Sequence, residues 1–236
     1  VHVVMGNESA DLDSIVSAIA YAYYLQRLGN DSEFFIPLLN IKREEIILRK
    51  DALYLFNLFR ISFEDLFFLD DKITINKLFK ENKLRLNLVD HNVLKPSQVY
   101  LTGVVERIID HHVDKKIAYP NLEDKWVLPV SSAATLVAEK MLKNSDLSSE
   151  MAAFLLAPIF MDSHHLMSKK TTKLDREAAE QLFLISSSIL PCSYYADLLQ
   201  ARQDTTDLTP AMQLSKDFKE YIDEGNILYG ISSLQT

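Results

Sequence analysis

Four apolar runs in this chain each end in a short cluster of acidic, amide and histidine residues, and that recurring junction limits the folds open to it. The clusters are Gly6-Asn7-Glu8-Ser9-Ala10-Asp11-Leu12-Asp13-Ser14, Leu88-Val89-Asp90-His91-Asn92, Ile108-Ile109-Asp110-His111-His112 and Met161-Asp162-Ser163-His164-His165. Five of the six histidines fall in the last three clusters. Histidines that served solubility alone would scatter more evenly. Oxygen and imidazole donors repeated at the ends of buried strands are what a divalent metal centre needs.

The runs read as strands alternating with helices. Val1 to Met5 is a continuous apolar stretch around one histidine, the pattern of a strand buried on both faces. A helical period runs from Ser14 to Leu28 and stops at Gly29-Asn30. Strand patterns follow at Phe34 to Leu39, Leu66 to Leu69, Leu84 to Val89 and Val104 to Ile109, with helical ones at Glu44 to Arg60 and Ile73 to Glu81. This alternation predicts an α/β fold, a parallel sheet with helices on both faces. After Trp126 the chain turns helical, over Ser131 to Leu142, Ser149 to Asp162, Thr172 to Ile185 and Tyr194 to Gln203. Pro191 and the stretch Asp204 to Pro210 read as connectors. A boundary near residue 190 follows, with one domain over 1–190 and a linker plus the beginning of a second over 191–236. The chain opens at Val1 inside an apolar run and stops at Thr236 just past another, Ile227 to Leu234, so it reads as a fragment.

Composition narrows the partners. With 236 residues, 48% of them hydrophobic, the chain can bury one substantial α/β core. A net charge of −8 argues against a general binder of nucleic-acid polymers or membrane surfaces. An acidic protein still takes a polyanion where bound metal ions supply local positive charge. The single Cys192 excludes a disulfide framework and a cysteine zinc site, and fits a reducing cytoplasm. No apolar run reaches the roughly 20 residues a membrane helix needs, and no signal peptide is visible.

Each cluster has a structural reading beside the chemical one. Asn7, Asp11 and Asp13 fall between the first strand and the first helix, where open α/β sheets place their ligand crevice. One such residue would serve as a helix cap worth about 1 kcal/mol, but this turn offers Asp11, Asp13 and Ser14 together. Asp90-His91 is a strand running into a pair that also begins turns. Adjacent His111 and His112 cannot both enter an apolar core without partners. One could bind metal while the other exchanges a proton with a reacting group, or both could form a structural pair oriented by Asp110. Asp162 closes an apolar helix, either as a solvated end or as a ligand. His164 and His165 are explained by the helix dipole. Lys169, Lys170, Thr172 and Asp175 read as a solvated loop with Thr172 capping the next helix, or as a place where a lysine neutralises substrate charge. No P-loop, G-x-G-x-x-G, H-E-x-x-H or G-x-S-x-G occurs, and five glycines are too few for a phosphate-cradling backbone loop. Any phosphate must then be held by metals and side chains, and carboxylates with some imidazole suit Mn²⁺ or Mg²⁺.

In this order the motifs resemble the DHH phosphoesterase superfamily. The first block, Gly6 to Ile15, is similar to the exopolyphosphatase and prune branch, in which asparagine stands where family II inorganic pyrophosphatases have histidine. Pro37-Leu38-Leu39-Asn40-Ile41-Lys42-Arg43, then Leu48-Arg49, and Ser132-Ala133-Ala134-Thr135-Leu136-Val137 resemble that branch as well. The resemblance implies metal ligands at Asp11, Asp13, Asp90, His111 and Asp162, with Asp90 bridging two ions. It puts Asn7 at the first ligand position as a poorer donor with a substrate contact, makes His112 the histidine that meets the leaving group, and gives His91 a supporting catalytic contact. Lys169 is the nearest match to the branch's substrate lysine, and Ser131 replaces a glycine. The resemblance also implies a C-terminal DHHA2-type domain that carries cationic phosphate clamps, of which only the truncated start, around Leu208 to Leu234, is present.

The implied activity is hydrolysis of a phosphoanhydride bond, most plainly release of terminal phosphate from short polyphosphate by two-metal activation of water. The alternatives are a phosphodiesterase acting on cyclic nucleotides or oligonucleotides, and a protein-interaction module that binds nucleoside diphosphate kinase, as resemblance to prune implies.

Overall fold

A computed structural model gives the protein's structure and describes residues 1–71, 75–144, 147–216, 218–222 and 227–232. Six strands, β1 (His2–Met5), β2 (Phe35–Leu39), β3 (Phe67–Phe68), β4 (Arg85–Val89), β5 (Val105–Asp110) and β6 (Asp124–Val127), form one sheet in the order β3-β2-β1-β4-β5-β6. Every neighbouring pair is parallel. The strands alternate between two cores. Val4, Leu39, Val89 and Ile109 face one of them, and Val3, Met5, Leu38, Leu88 and Ile108 face the other. Burial on both faces is why the central strands read as largely apolar runs in the sequence.

Most helices cover the first face. These are α1 (Leu12–Leu28), α2 (Lys50–Leu58), α4 (Ala133–Asn144), α5 (Ser149–Asp162), α6 (Lys173–Ser186) and α7 (Tyr194–Gln203). On the second face lie α3 (Ile75–Lys80) and the 3-10 segment Pro96–Val104. A short α8 (Pro210–Lys216) leads to an antiparallel pair, β7 (Lys219–Ile222) with β8 (Leu228–Ile231). The part of the expected DHHA2-type start that falls on 217, 223–226 and 233–236 lies outside the described residues, as do positions 73 and 74 of the Ile73 to Glu81 helix.

Two elements depart from the sequence reading. The single helix expected over Glu44 to Arg60 is a 3-10 segment, Arg43–Leu48, followed by α2, with the break at Arg49. Arg49 is pulled out of helical geometry because its buried guanidinium reaches back to the first loop, where Nε donates to the carbonyls of Ser9 (2.9 Å) and Ala10 (3.0 Å). Strand β6 was not anticipated. All four of its residues are half-buried, so it lacks an apolar run. The boundary expected near residue 190 precedes a helix that shares the main core. Tyr194 and Leu198 of α7 are buried in it, the Tyr194 hydroxyl donates to Ala153 O (2.7 Å), and the Tyr54 hydroxyl donates to Asp197 (3.1 Å).

The chain runs outward from β1 in both directions, to β2 on one side and to β4 on the other. Loops leaving β1 and β4 therefore part company at their C-terminal ends and leave a crevice there. Asp175 fixes one wall of that region. Fully buried, its carboxylate accepts from Ser131 N (3.1 and 3.0 Å), Thr135 Oγ1 (2.6 Å), Thr172 N (2.7 Å) and Thr172 Oγ1 (2.8 Å), joining the starts of α4 and α6. Burial disfavours its charge, but these donors outweigh burial and hold the carboxyl below the usual range. A depressed native pKa means that this contribution is complete above the unfolded value of about 3.9 and is lost as pH falls through the native one. Asp175→Ala is expected to cost roughly 2–4 kcal/mol in urea unfolding at neutral pH, with a shallower loss of stability below about pH 4 than in the wild type. An unchanged midpoint and acid slope would contradict this role.

Candidate metal centre

The β1–α1 loop is held by its own polar groups. Asn7 Oδ1 accepts from Ser9 N (2.9 Å), Ser9 Oγ (2.7 Å) and Ala10 N (3.0 Å), and Asn7 Nδ2 donates to Asp90 Oδ2 (2.6 Å). This orientation of the amide is the only consistent one, because backbone N–H groups need an acceptor and a carboxylate needs a donor. Asp11 caps α1, accepting from Ser14 N (3.0 Å). Gly6 permits the loop to pass the helix, since a Cβ there would overlap Ser14 Oγ and lie 3.0 Å from Ser14 O. Ser14 Oγ in turn accepts from Asn7 N (2.6 Å).

Asp13, in the first turn of α1 and buried, is clasped by the start of α4. Its Oδ1 accepts from Ser132 Oγ (2.7 Å) and Ala134 N (2.9 Å), and its Oδ2 accepts from Ala133 N (2.6 Å). The Ser132-Ala133-Ala134 stretch singled out in the sequence is thus the cradle of Asp13. Asp90 follows β4 in left-handed backbone geometry, φ 62°. Asn7 occupies its Oδ2, whereas the buried Oδ1 has no hydrogen bond other than the ion-pair contact with His111. His111 follows β5. Its Nδ1 donates to Val130 O (3.0 Å), so Nε2 is the free nitrogen. That nitrogen lies 3.2 Å from Asp90 Oδ1 and 3.7 Å from Asp13 Oδ2.

Asp110 orients the next histidine. Fully buried, it accepts from His112 Nδ1 (2.8 Å) and His111 N (2.8 Å) on Oδ1, and from Asn92 Nδ2 on Oδ2. Burial opposes charge on Asp110, but the His112 and Asn92 donors outweigh it and hold the carboxyl low. His112 is consequently left with Nε2 available from a half-exposed ring.

Asp11, Asp13, Asp90, His111, His112 and Asp162 line a single cavity of about 610 Å³. Asn7, His91 and Lys169 are not among its lining residues. Asn7 and His91 line a neighbouring cavity and share a further one with Asp90 and His112, and His91 Nδ1 donates to Val89 O (2.9 Å). Lys170, one residue beyond the expected lysine, is the one that lines the site. His164 lines it too, from an uncommon turn in which His164, His165 and Leu166 are all left-handed (φ 49°, 55° and 65°). Its neighbour His165 instead stacks on Tyr195 at 4.9 Å. Sequence reasoning missed Arg202, which enters the cavity from the last turn of α7. Nothing in the local Gln200-Ala201-Arg202-Gln203 pattern marks it out.

A divalent cation fits these donors. Separations of 3.2 and 3.7 Å between His111 Nε2 and the two carboxylate oxygens are those of atoms that share one ion at about 2.1 Å. Ligand-type atoms of Asp90, His111 and His112 lie within 4.8 Å of one another. Burial and the neighbouring Asp13 carboxylate push both Asp90 and Asp162 well above the usual carboxylate range. Burial opposes protonation of His111, but Asp90 and Asp13 outweigh it and raise the ring to about 10. This crowding of anions, which His111 Nε2 meets only in part at Asp90 Oδ1, is relieved by positive charge placed among them.

A profile of the DHH family, N-terminal domain, matches residues 2–159, and the chain belongs to that family. It is 36% identical over 229 residues to exopolyphosphatase PRUNE1 of Rattus norvegicus, covering 95% of this chain and 50% of that protein. It is 28% identical over 234 residues to the manganese-dependent inorganic pyrophosphatase of Methanocaldococcus jannaschii, covering 92% and 66%. The chain spans about half the length of the first curated relatives it matches. A solved Methanococcus jannaschii protein assigned to the family II inorganic pyrophosphatases superposes with a TM-score of 0.72 over 98% of this chain and 71% of that one, at 24% identity, which establishes the shared fold.

Gly6→Ala is expected to destabilise the chain by about 1–3 kcal/mol, because the overlap with Ser14 falls on α1 itself. Urea unfolding monitored by circular dichroism measures this, and a midpoint equal to the wild type would contradict the packing argument.

Proposed function

We propose that the protein is a metal-dependent phosphohydrolase that cleaves phosphoanhydride bonds, releasing terminal phosphate from short polyphosphate. The observation that carries this reading is the meeting of Asp13 Oδ2 from the start of α1, Asp90 Oδ1 after β4 and His111 Nε2 after β5 at the crevice of the sheet. The names of the relatives, an exopolyphosphatase and a manganese-dependent pyrophosphatase, support the bond class and the choice of Mn²⁺ or Mg²⁺.

Asp11, Asp13, Asp90, His111 and Asp162 would hold two divalent ions, which when bound supply an acidified water and neutralise charge on the phosphate oxygens. The chain's own groups do the rest. Asp110 accepts the Nδ1 proton of His112 and so fixes that ring with Nε2 as its available nitrogen. From there His112 donates a proton or hydrogen bond to the departing phosphate oxygen. Asn7 holds Asp90 in place through Oδ2. Lys170 contributes an exposed positive charge at the cavity wall, beside the Lys169 that resemblance suggested. The proton transfer is assigned to His112, which lines the cavity of the metal ligands, and His91, which shares an adjoining cavity with Asp90 and His112, gives a supporting contact.

Among the described residues no helix is long and apolar enough to cross a membrane, and the single exposed Cys192 is compatible with a cytoplasmic setting. A nucleoside diphosphate kinase partner is the further expectation that resemblance to prune brings.

In the full-length protein, orthophosphate release from tripolyphosphate is expected to need Mn²⁺ or Mg²⁺, to stop with a chelator and to return on adding metal. Asp90→Ala is expected to abolish it, and His112→Ala to lower kcat by about 10²–10⁴. A cyclic nucleotide should compete poorly. Full activity of Asp90→Ala, or turnover of the cyclic nucleotide in preference to tripolyphosphate, would overturn this reading.

A further inference from the structure

The acidic side of the cavity comes almost wholly from residues inside the family match, which ends at residue 159, but its cationic side chains Lys170 and Arg202 come from beyond it. The two cations are built differently. Lys170 is exposed in a loop, a point charge on a flexible stem. Arg202 sits at the end of a docked helix, and its Nε donates to Asp51 Oδ2 (2.9 Å), a buried carboxylate of α2 that does not line the cavity. Lys50, next to Asp51, donates to Asp204 Oδ2 (2.8 Å) and so ties the same helix end to α2 a second time.

One edge of the guanidinium is therefore fixed. Among the described residues, the contact recorded for the other edge is Nη1 to Asp162 Oδ1 at 3.7 Å, longer than a hydrogen bond. The η nitrogens thus face the cavity with donors to spare, beside a carboxylate proposed as a metal ligand. An arginine held at Nε and open at Nη matches a tetrahedral oxyanion, because its remaining N–H groups form a planar fork with two parallel donors. Fixing Nε beforehand reduces the ordering cost of each bond that the fork forms.

We propose that Arg202 is a phosphate-binding residue of this centre, its Asp51-anchored guanidinium donating to non-bridging oxygens of the phosphate chain while the metal ligands hold the group under attack. The assignment rests on the phosphohydrolase reading above. It places an anion clamp on α7, apart from any clamp that a C-terminal domain supplies.

Kinetics and ligand binding on the full-length protein with Mn²⁺ test it. Arg202→Gln is expected to raise KM for tripolyphosphate roughly tenfold or more while kcat stays within about threefold. Imidodiphosphate, which is not turned over, is expected to bind more weakly by a similar factor in calorimetry, with Mn²⁺ affinity in its absence little changed. Arg202→Lys keeps the charge without the fork, and its KM is expected to fall between the two; it carries the test if the glutamine variant does not fold. A purely structural Arg202 would lower the melting temperature of Arg202→Gln and leave KM and imidodiphosphate affinity at wild-type values, which would overturn the assignment alone. A wild type that neither hydrolyses tripolyphosphate nor binds imidodiphosphate would overturn the hydrolase reading and this assignment with it.

Discussion

Like-charge crowding is the constraint on which this structure turns. Asp11, Asp13, Asp90 and Asp162 are drawn to one cavity by the ends of different elements, and Asp13 and Asp90 are nearly removed from solvent. Two buried carboxylates that share a site repel one another, and burial penalises each charge separately. The fold nonetheless fixes them with dedicated donors: Ser132, Ala133 and Ala134 on Asp13, and Asn7 on Asp90. Hydrogen bonds arranged to keep carboxylates together in a low-dielectric pocket make chemical sense when a cation joins them.

The architecture explains why these groups meet. Parallel strands deliver their C-terminal ends to one edge of the sheet, so residues far apart in sequence, such as Asp13, Asp90 and His111, emerge side by side across the β1–β4 crevice. Asp162 joins from the end of α5 and Arg202 from the end of α7. Structural residues then set the precision. Arg49 ties the carbonyls of Ser9 and Ala10, and Asp175 ties Ser131 to α6, so both loops that flank Asp13 are anchored from outside the site.

Much of this was legible in the sequence because the central strands β1, β4 and β5 are buried on both faces and so largely apolar, and because each of them stops at its polar cluster. Edge strand β6 carries no such run and was invisible. Helix propensity alone joined the 3-10 segment at Arg43 to α2, since the tertiary pull of Ser9 and Ala10 on Arg49 leaves no local mark. Asn7 stood out in the sequence beside Asp11 and Asp13, but the direction of its amide depends on Ser9, Ala10 and Asp90 together. Lys170, and not its neighbour Lys169, lines the cavity, after a turn whose left-handed residues His164, His165 and Leu166 no residue type announces. Arg202 gains its meaning only when α7 docks against α2 and finds Asp51.

The central claim is spatial, and diffraction from crystals soaked in Mn²⁺, recorded at the manganese absorption edge, tests it most directly. The account predicts an anomalous peak within bonding distance of Asp13, Asp90 and His111, with Asp162 turned toward it. Crystals that take up manganese elsewhere, with those side chains unligated, would contradict it.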